Sequence, residues 1–197
     1  MAKGYGRYSL PSNPMEREDP IVVVRSDSRW PAEFKGIGLR LRRTLGATAL
    51  RIDHIGSTAI AGLDAKPVID VQISVATLDP DSAFRVPLEE LGFVFRATNE
   101  DRSKRFFREP AGTRRAHIHV RRAGSFDEQL NLLLRDYLRT HRKDRNEYAR
   151  AKWEFAAEHR RDREGYVRAK GPTIWCLLLK AHDWLEETGW SPGPSDA

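Results

Sequence analysis

"HIGSTAIAGLDAKPVIDVQI", running from His54 to Ile73, decides how the rest of the chain is read. It joins a Gly-Ser turn, Gly56 and Ser57, to an apolar, β-branched run over 67–75 that carries one embedded acid, Asp70. A Gly-Ser turn between a strand and a short helix can present backbone N–H groups and a hydroxyl to a phosphate. Glycine lets the ligand approach, and the helix N-terminus favours its negative charge. An aspartate on the following strand can then hold Mg²⁺ against the same phosphates. The plainer alternative is a capped or salt-bridged Asp70 in a core strand, since an acid inside "VIDVQI" is costly to bury unpaired.

Working outward, "IVVV" (21–24) reads as a short strand. Trp30, Phe34, Ile37, Leu41 and Leu45 have helical spacing that stops at Gly46. "ATALRIDHI" (47–55) leads as a strand into the turn, and "PVIDVQISV" (67–75) reads as a central strand buried on both faces. A helix start at Asp79-Pro80 is expected to break at Pro87 into two short pieces. "FVFRAT" (93–98), "KRFFRE" (104–109) and "RAHIHVRR" (115–122) add three strands, the last two joined as a hairpin by "PAGT".

From Ser125 the texture turns helical, with a capping box expected between Ser125 and Glu128. An apolar stripe from Phe126 to Leu138 follows, then a highly charged segment (139–170) that predicts one or two surface helices. The last helix is expected over 172–189, with Pro172 in its first turn and Gly189 just past its end. The organisation expected is a flexible leader (1–20), an α/β core (21–124), a helical part packed on it (125–189) and a loose tail (190–197). Such an order is α+β rather than an alternating doubly wound sheet.

With 197 residues, 40% hydrophobic and 31% charged, the chain suits one globular unit that buries its own core. Its single cysteine, Cys176, forms no internal disulfide and reads as a small buried hydrophobe. No apolar run reaches the roughly 18 residues of a membrane span, and the first 20 residues hold no signal-peptide core. A cytoplasmic protein without membrane association is the default expectation. The net charge of +6 implies attraction to phosphate, of a nucleotide, a phosphorylated small molecule or nucleic acid.

"IDHIGSTAIAGLDAKPVIDVQISV", the later "HIHV" and "LLLRDYLRTH" together resemble the GrpB family, placed in the nucleotidyltransferase superfamily with a polymerase-β-like fold. The resemblance runs from about Ile21 to Trp184. It implies a mixed nucleotidyltransferase-like sheet with flanking helices, followed by a C-terminal helical segment. It also implies metal-dependent transfer of a nucleotidyl group from a nucleoside triphosphate, aided by Mg²⁺ or Mn²⁺, to an acceptor the sequence does not name. On this resemblance Gly56, Ser57 and Thr58 match the phosphate-gripping turn, and Asp70 the first metal-binding acid. Gln72 stands where a second acid belongs, and His117 or His119 where a third is expected. Asp136, in "LRDYLR", is a second catalytic candidate.

A neutral amide cannot supply the charge of a two-Mg²⁺ site. His117 and His119, two apart on one strand, share a face. With Asp70, and His54 as a fourth member, they would suit Zn²⁺, Mn²⁺ or Fe²⁺ better than Mg²⁺. The alternative is two polar side chains facing a wet cleft. Lys66 and Arg105 are the further phosphate candidates. Arg105 belongs to a basic cluster around the hairpin in which Phe106 and Phe107 are interleaved; the two rings are expected on opposite sheet faces. Three readings stay open: a nucleotidyltransferase-like enzyme, an inactive nucleotide-, phosphate- or metal-binding member of the fold, and a nucleic-acid-binding protein.

Overall fold

The computed structural model describes residues 20–197, so the leader expected over 1–20 lies, but for Pro20, outside the described residues. In chain order the elements are α1 (Trp30–Leu45), β1 (Arg51–Ile55), β2 (Ile69–Val75), α2 (Ser82–Glu90), β3 (Val94–Phe95), β4 (Lys104–Arg108) and β5 (Ala116–Arg122). Three helices close the chain: α3 (Phe126–Thr140), α4 (Arg142–Glu158) and α5 (Arg163–Thr188). The strands form one sheet in the order β1-β2-β5-β4-β3. The central pair, β2 and β5, runs parallel, and every other neighbour is antiparallel. This is the mixed α+β sheet that the sequence predicts.

β2 is buried almost throughout, as expected of a central strand, yet its two faces differ in kind. Ile69, Val71, Ile73 and Val75 point to one side and pack with Ile118, Val120 and Phe107 against Trp30, Phe34, Leu41 and Leu45 of α1 and Phe84 and Leu88 of α2. Period-2 alternation then sends Asp70, Gln72 and Ser74 to the other side. That polar face is covered by α3. Gln72 Nε2 donates to Glu128 O at 3.2 Å, Asn131 Nδ2 donates to Gln72 Oε1 at 2.9 Å, and the Ser74 hydroxyl donates to the Glu128 carboxylate. The Ser125–Glu128 capping box therefore does not form. Ser125 does sit at the N-cap, but the Glu128 carboxylate is taken by Ser74 and by the Gly124 N–H at 2.7 Å. A second apolar cluster, with Ile60, Leu63, Leu133, Tyr137, Tyr148 and Leu177, seals the three C-terminal helices onto the loop after β1.

Other expectations are corrected. The segment 21–24 contributes one bridge, Val24 to Ala65, rather than a strand, and β3 shrinks to two residues. α2 continues through Pro87 as one helix, because burial of Phe84 and Leu88 on the sheet outweighs one missing backbone hydrogen bond. α5 likewise runs through Pro172, capped by Asp162, whose carboxylate accepts from Gly165 N at 2.8 Å; Gly189 ends it with φ 65°. Cys176 is exposed on α5, not buried.

The segment 190–197 is not loose. Ser195 Oγ accepts from Ile52 N at 2.8 Å, and Ala197 N donates to Ile52 O at 3.1 Å. Asp196 Oδ2 accepts from His54 N and from Arg135 Nη1, each at 2.9 Å. Asp196→Ala removes a charged acceptor from both groups. It is expected to cost about 1–3 kcal/mol, read as a lower urea midpoint with an unchanged far-ultraviolet circular dichroism spectrum.

Candidate functional site

The site lies on the polar face of the central strands, where register does the positioning. Asp70 pairs with His117 and Gln72 with His119 across the parallel β2–β5 ladder, so all four side chains leave the same face. His117 Nδ1 lies 3.2 Å and His119 Nε2 3.3 Å from the same oxygen of Asp70. The two imidazoles stand nearly perpendicular, 6.3 Å apart, with Phe106 of β4 walling both at 5.3 and 5.1 Å. Burial works to raise the Asp70 carboxyl, but hydrogen bonding and charge from the two histidines outweigh it and keep the group ionised. Burial lowers the His119 imidazole against the pull of Asp70.

One ligand atom from each of Asp70, His117 and His119 lies within 4.8 Å of the others. His117 Nε2 is buried with no hydrogen-bond partner. Two imidazoles and one carboxylate suit a single transition-metal ion. They do not suit a pair of Mg²⁺ ions, which need several carboxylates. Gln72 cannot join them, since both ends of its amide are committed to α3.

Gly56 is placed by this carboxylate. Its φ of 68° and ψ of −170° belong to backbone that only glycine adopts readily, and a Cβ here would meet Asp70 Oδ2 at 2.8 Å. The chain thus passes directly over Asp70 before Ser57 opens a short 3₁₀ turn. Gly56, Ser57, Thr58 and Lys66 all line a cavity of about 500 Å³ enclosed by the polar sheet face and the C-terminal helices. Thr58 is chiefly structural: its hydroxyl donates to Val68 O and lies 3.0 Å from His54 Nε2.

Three sequence candidates lie elsewhere. His54 pairs with Val71, so it faces the α1 side of the sheet, where it stacks on Phe34 at 4.7 Å. Arg105 pairs with Val120 on that same side and binds Asp79 at 2.7 Å. Asp136 points away from the cavity, to Arg135 at 2.8 Å, Arg139 at 3.2 Å and Trp190 at 3.3 Å. Phe106 and Phe107 do take opposite faces, Phe107 being fully buried.

The residues that sequence reasoning misses come from the charged helices. Tyr148 and Lys152 of α4, and Tyr166 and Lys170 of α5, also line the cavity. Each pair is spaced i, i+4 on its helix, with the lysine amine 4.7 and 4.8 Å from its tyrosine ring centre. Two Tyr-x-x-x-Lys repeats are the signal by which they could be found.

A family model described as "GrpB protein" matches residues 20–180. The chain belongs to the GrpB family. It is 34% identical over 137 residues to a UPF0157 protein of Halalkalibacterium halodurans, covering 69% of each chain. A UPF0157 protein of Pseudomonas aeruginosa is 36% identical over 143 residues, 71% of this chain and 58% of that one. A dephospho-CoA kinase of Mycobacterium tuberculosis is 31% identical over 198 residues, covering 88% of this chain. This GrpB chain spans only 49% of that kinase's length. The crystal structure of conserved protein GrpB from Enterococcus faecalis shares the fold, with a TM-score of 0.76 at 23% identity, over 84% of this chain and 99% of that one. Among the described residues no helix is long and apolar enough to cross a membrane.

Gly56→Ala should cost about 1–3 kcal/mol from backbone strain and also displace Asp70; thermal unfolding reads the first effect and metal titration the second. His54 is held neutral by burial, its imidazole lowered to about 4 from 6.5. Unfolded His54 takes up a proton below pH 6.5 that the folded form refuses until about pH 4. Its contribution is therefore complete above pH 6.5 and lost as pH falls from 6.5 towards 4. His54→Gln should remove up to about 3 kcal/mol of that acid dependence, seen as a shallower fall of urea-unfolding stability over this window.

Proposed function

We propose that this GrpB-family protein is a nucleotidyltransferase-like enzyme with a single divalent metal, acting on a phosphate of a nucleoside triphosphate. The observation that carries the reading is the convergence of Asp70, His117 and His119 beside the Gly56–Ser57 turn, inside one cavity. A bound divalent ion would supply Lewis-acid activation of a phosphoryl oxygen. The chain's own residues would do the rest. The turn offers backbone N–H groups and the Ser57 hydroxyl to the phosphate, and Lys66 adds charge at the same cavity wall. Phe106 and the α3 cover keep the reacting region partly dry. Kinship with half of a protein named a dephospho-CoA kinase is in keeping with a ligand of nucleotide type. The chain itself has no Gly-x₄-Gly-Lys-Ser/Thr loop, so any grip on a nucleotide differs from that of a P-loop.

Gln72 favours a second reading, a protein that binds the nucleotide without transferring it. The position of the second acid is occupied by an amide that docks α3. A nucleic-acid groove is disfavoured, because Phe107 is buried and Phe106 packs on the two histidines, leaving no aromatic platform there.

Elemental analysis of chelator-free protein should find about one Zn²⁺, Mn²⁺ or Fe²⁺ per chain, and none in His119→Ala. ATP with Mn²⁺ at 100 times the dissociation constant should stabilise the fold by about 2.7 kcal/mol, raising Tm by roughly 5–10 °C. Pyrophosphate release would establish transfer, whereas a Tm shift without release would establish the binding reading. A wild-type protein that cannot be loaded with any of these metals overturns the metal site.

A further inference from the structure

Among the described residues, three lysines that line the cavity form no salt bridge, although the Asp70 carboxylate lines the same cavity. Lys152 is only 2% exposed, and its amine donates to Ser57 Oγ at 3.0 Å. Lys66 and Lys170 flank the Tyr166 ring, their amines 4.9 and 4.8 Å from its centre. The cavity's other two cations are already paired. Lys104 binds Asp101 at 3.2 Å, and Arg135 binds Asp136 at 2.8 Å and Asp196 at 2.9 Å. Among the described residues no carboxylate lies within salt-bridge distance of Lys66, Lys152 or Lys170. A hydroxyl and two ring faces soften the burial of an ammonium but do not neutralise it.

The consequence shows in their acidity. Burial, and then the charge of neighbouring Lys170, lowers the Lys152 amine to about 7. Burial, followed by Lys170 and Arg163, brings Lys66 to about 8. Burying ammonium groups without a salt-bridge partner is destabilising, so an anion with several charges entering the cavity would offset the cost at all three. The three come from separate elements: the loop before β2, α4 and α5. All three line one cavity, and its volume of about 500 Å³ suits a small molecule.

We propose that Lys66, Lys152 and Lys170 form a subsite for the linked terminal phosphates of a polyphosphate-bearing small molecule, whose remainder extends towards Asp70, His117 and His119. This deepens the nucleotide reading and rests on it only for the remainder of the ligand. The phosphate grip itself needs no metal.

The test is thermal unfolding in EDTA with inorganic tripolyphosphate or orthophosphate, for wild type, Lys152→Met, Lys170→Met and the exposed Lys35→Met as a charge-matched control. Tripolyphosphate should raise the wild-type Tm, and orthophosphate at equal concentration should do so far less. Without ligand both cavity-lysine variants should melt at or above the wild-type temperature, having lost an unpaired buried cation. Both should need at least roughly tenfold more tripolyphosphate for the same shift. Lys35→Met should respond as wild type does.

The proposal is overturned by a wild type that ignores tripolyphosphate, by equal response to orthophosphate, or by cavity-lysine variants that respond as fully as Lys35→Met. Calorimetric titration of the wild type with tripolyphosphate decides whether the subsite exists even where a variant fails to fold. Protein that loads a metal yet ignores tripolyphosphate rejects this subsite alone. Protein that binds tripolyphosphate but takes no metal rejects only the metal reading.

Discussion

The parallel ladder between β2 and β5 is the constraint on which the rest depends. Because Asp70 is opposite His117 and Gln72 opposite His119, the polar residues of both strands collect on one side of the sheet. The aliphatic residues of the same strands collect on the other, and α1 and α2 bury them. A slip of one residue between the two strands would turn one over relative to the other, placing either the carboxylate or the two imidazoles on the apolar side. The core and the cleft are thus two results of one register. The hydrophobic energy that fixes the first also fixes the second.

Gln72 shows how the polar face is divided. At Asp70, His117 and His119 it lines the cleft. Towards α3 it becomes a docking surface, with Gln72, Ser74, Glu128 and Asn131 satisfying one another. An acid at position 72 would set a carboxylate against the Glu128 backbone carbonyl and side chain, two acceptors already in place. The amide can donate to one group and accept from another, which an ionised acid cannot. In this chain position 72 serves assembly of the helical part, and among the described residues Asp70, His117 and His119 are the side chains grouped closely enough to share a metal ion.

Much of this is legible in the sequence. The alternation Asp70, Gln72, Ser74 within a β-branched run marks a strand with one polar face, and His117 and His119 repeat the pattern. Gly56 preceding Ser57 marks a turn at which a side chain would be in the way. Strand parity across pairs is not legible, because register is set between segments remote in sequence. Sequence therefore places His54 on the wrong side of the sheet, and it favours Arg105 over its neighbour Lys104, which does face the cleft. The segment 139–170 reads as a solvated surface since its apolar content is low. Its Tyr-x-x-x-Lys pairs gain meaning only once α4 and α5 fold back over the cavity. Pro87 and Pro172 mislead for a related reason: tertiary burial overrides a local helix-breaking signal.

The tail along β1 bears on how molecules of this protein meet one another. A strand at the margin of a sheet presents unpaired backbone groups and invites a strand from another chain. Here the backbone of Ile52 and His54 at one margin is already occupied by Ser195, Asp196 and Ala197. The opposite margin, β3, is two residues long. Among the described residues the β1 margin is thus largely taken, which disfavours self-association by sheet extension at that border. Encounters between copies would fall instead to helical surfaces, among them the α5 flank that exposes Trp175 and Leu179.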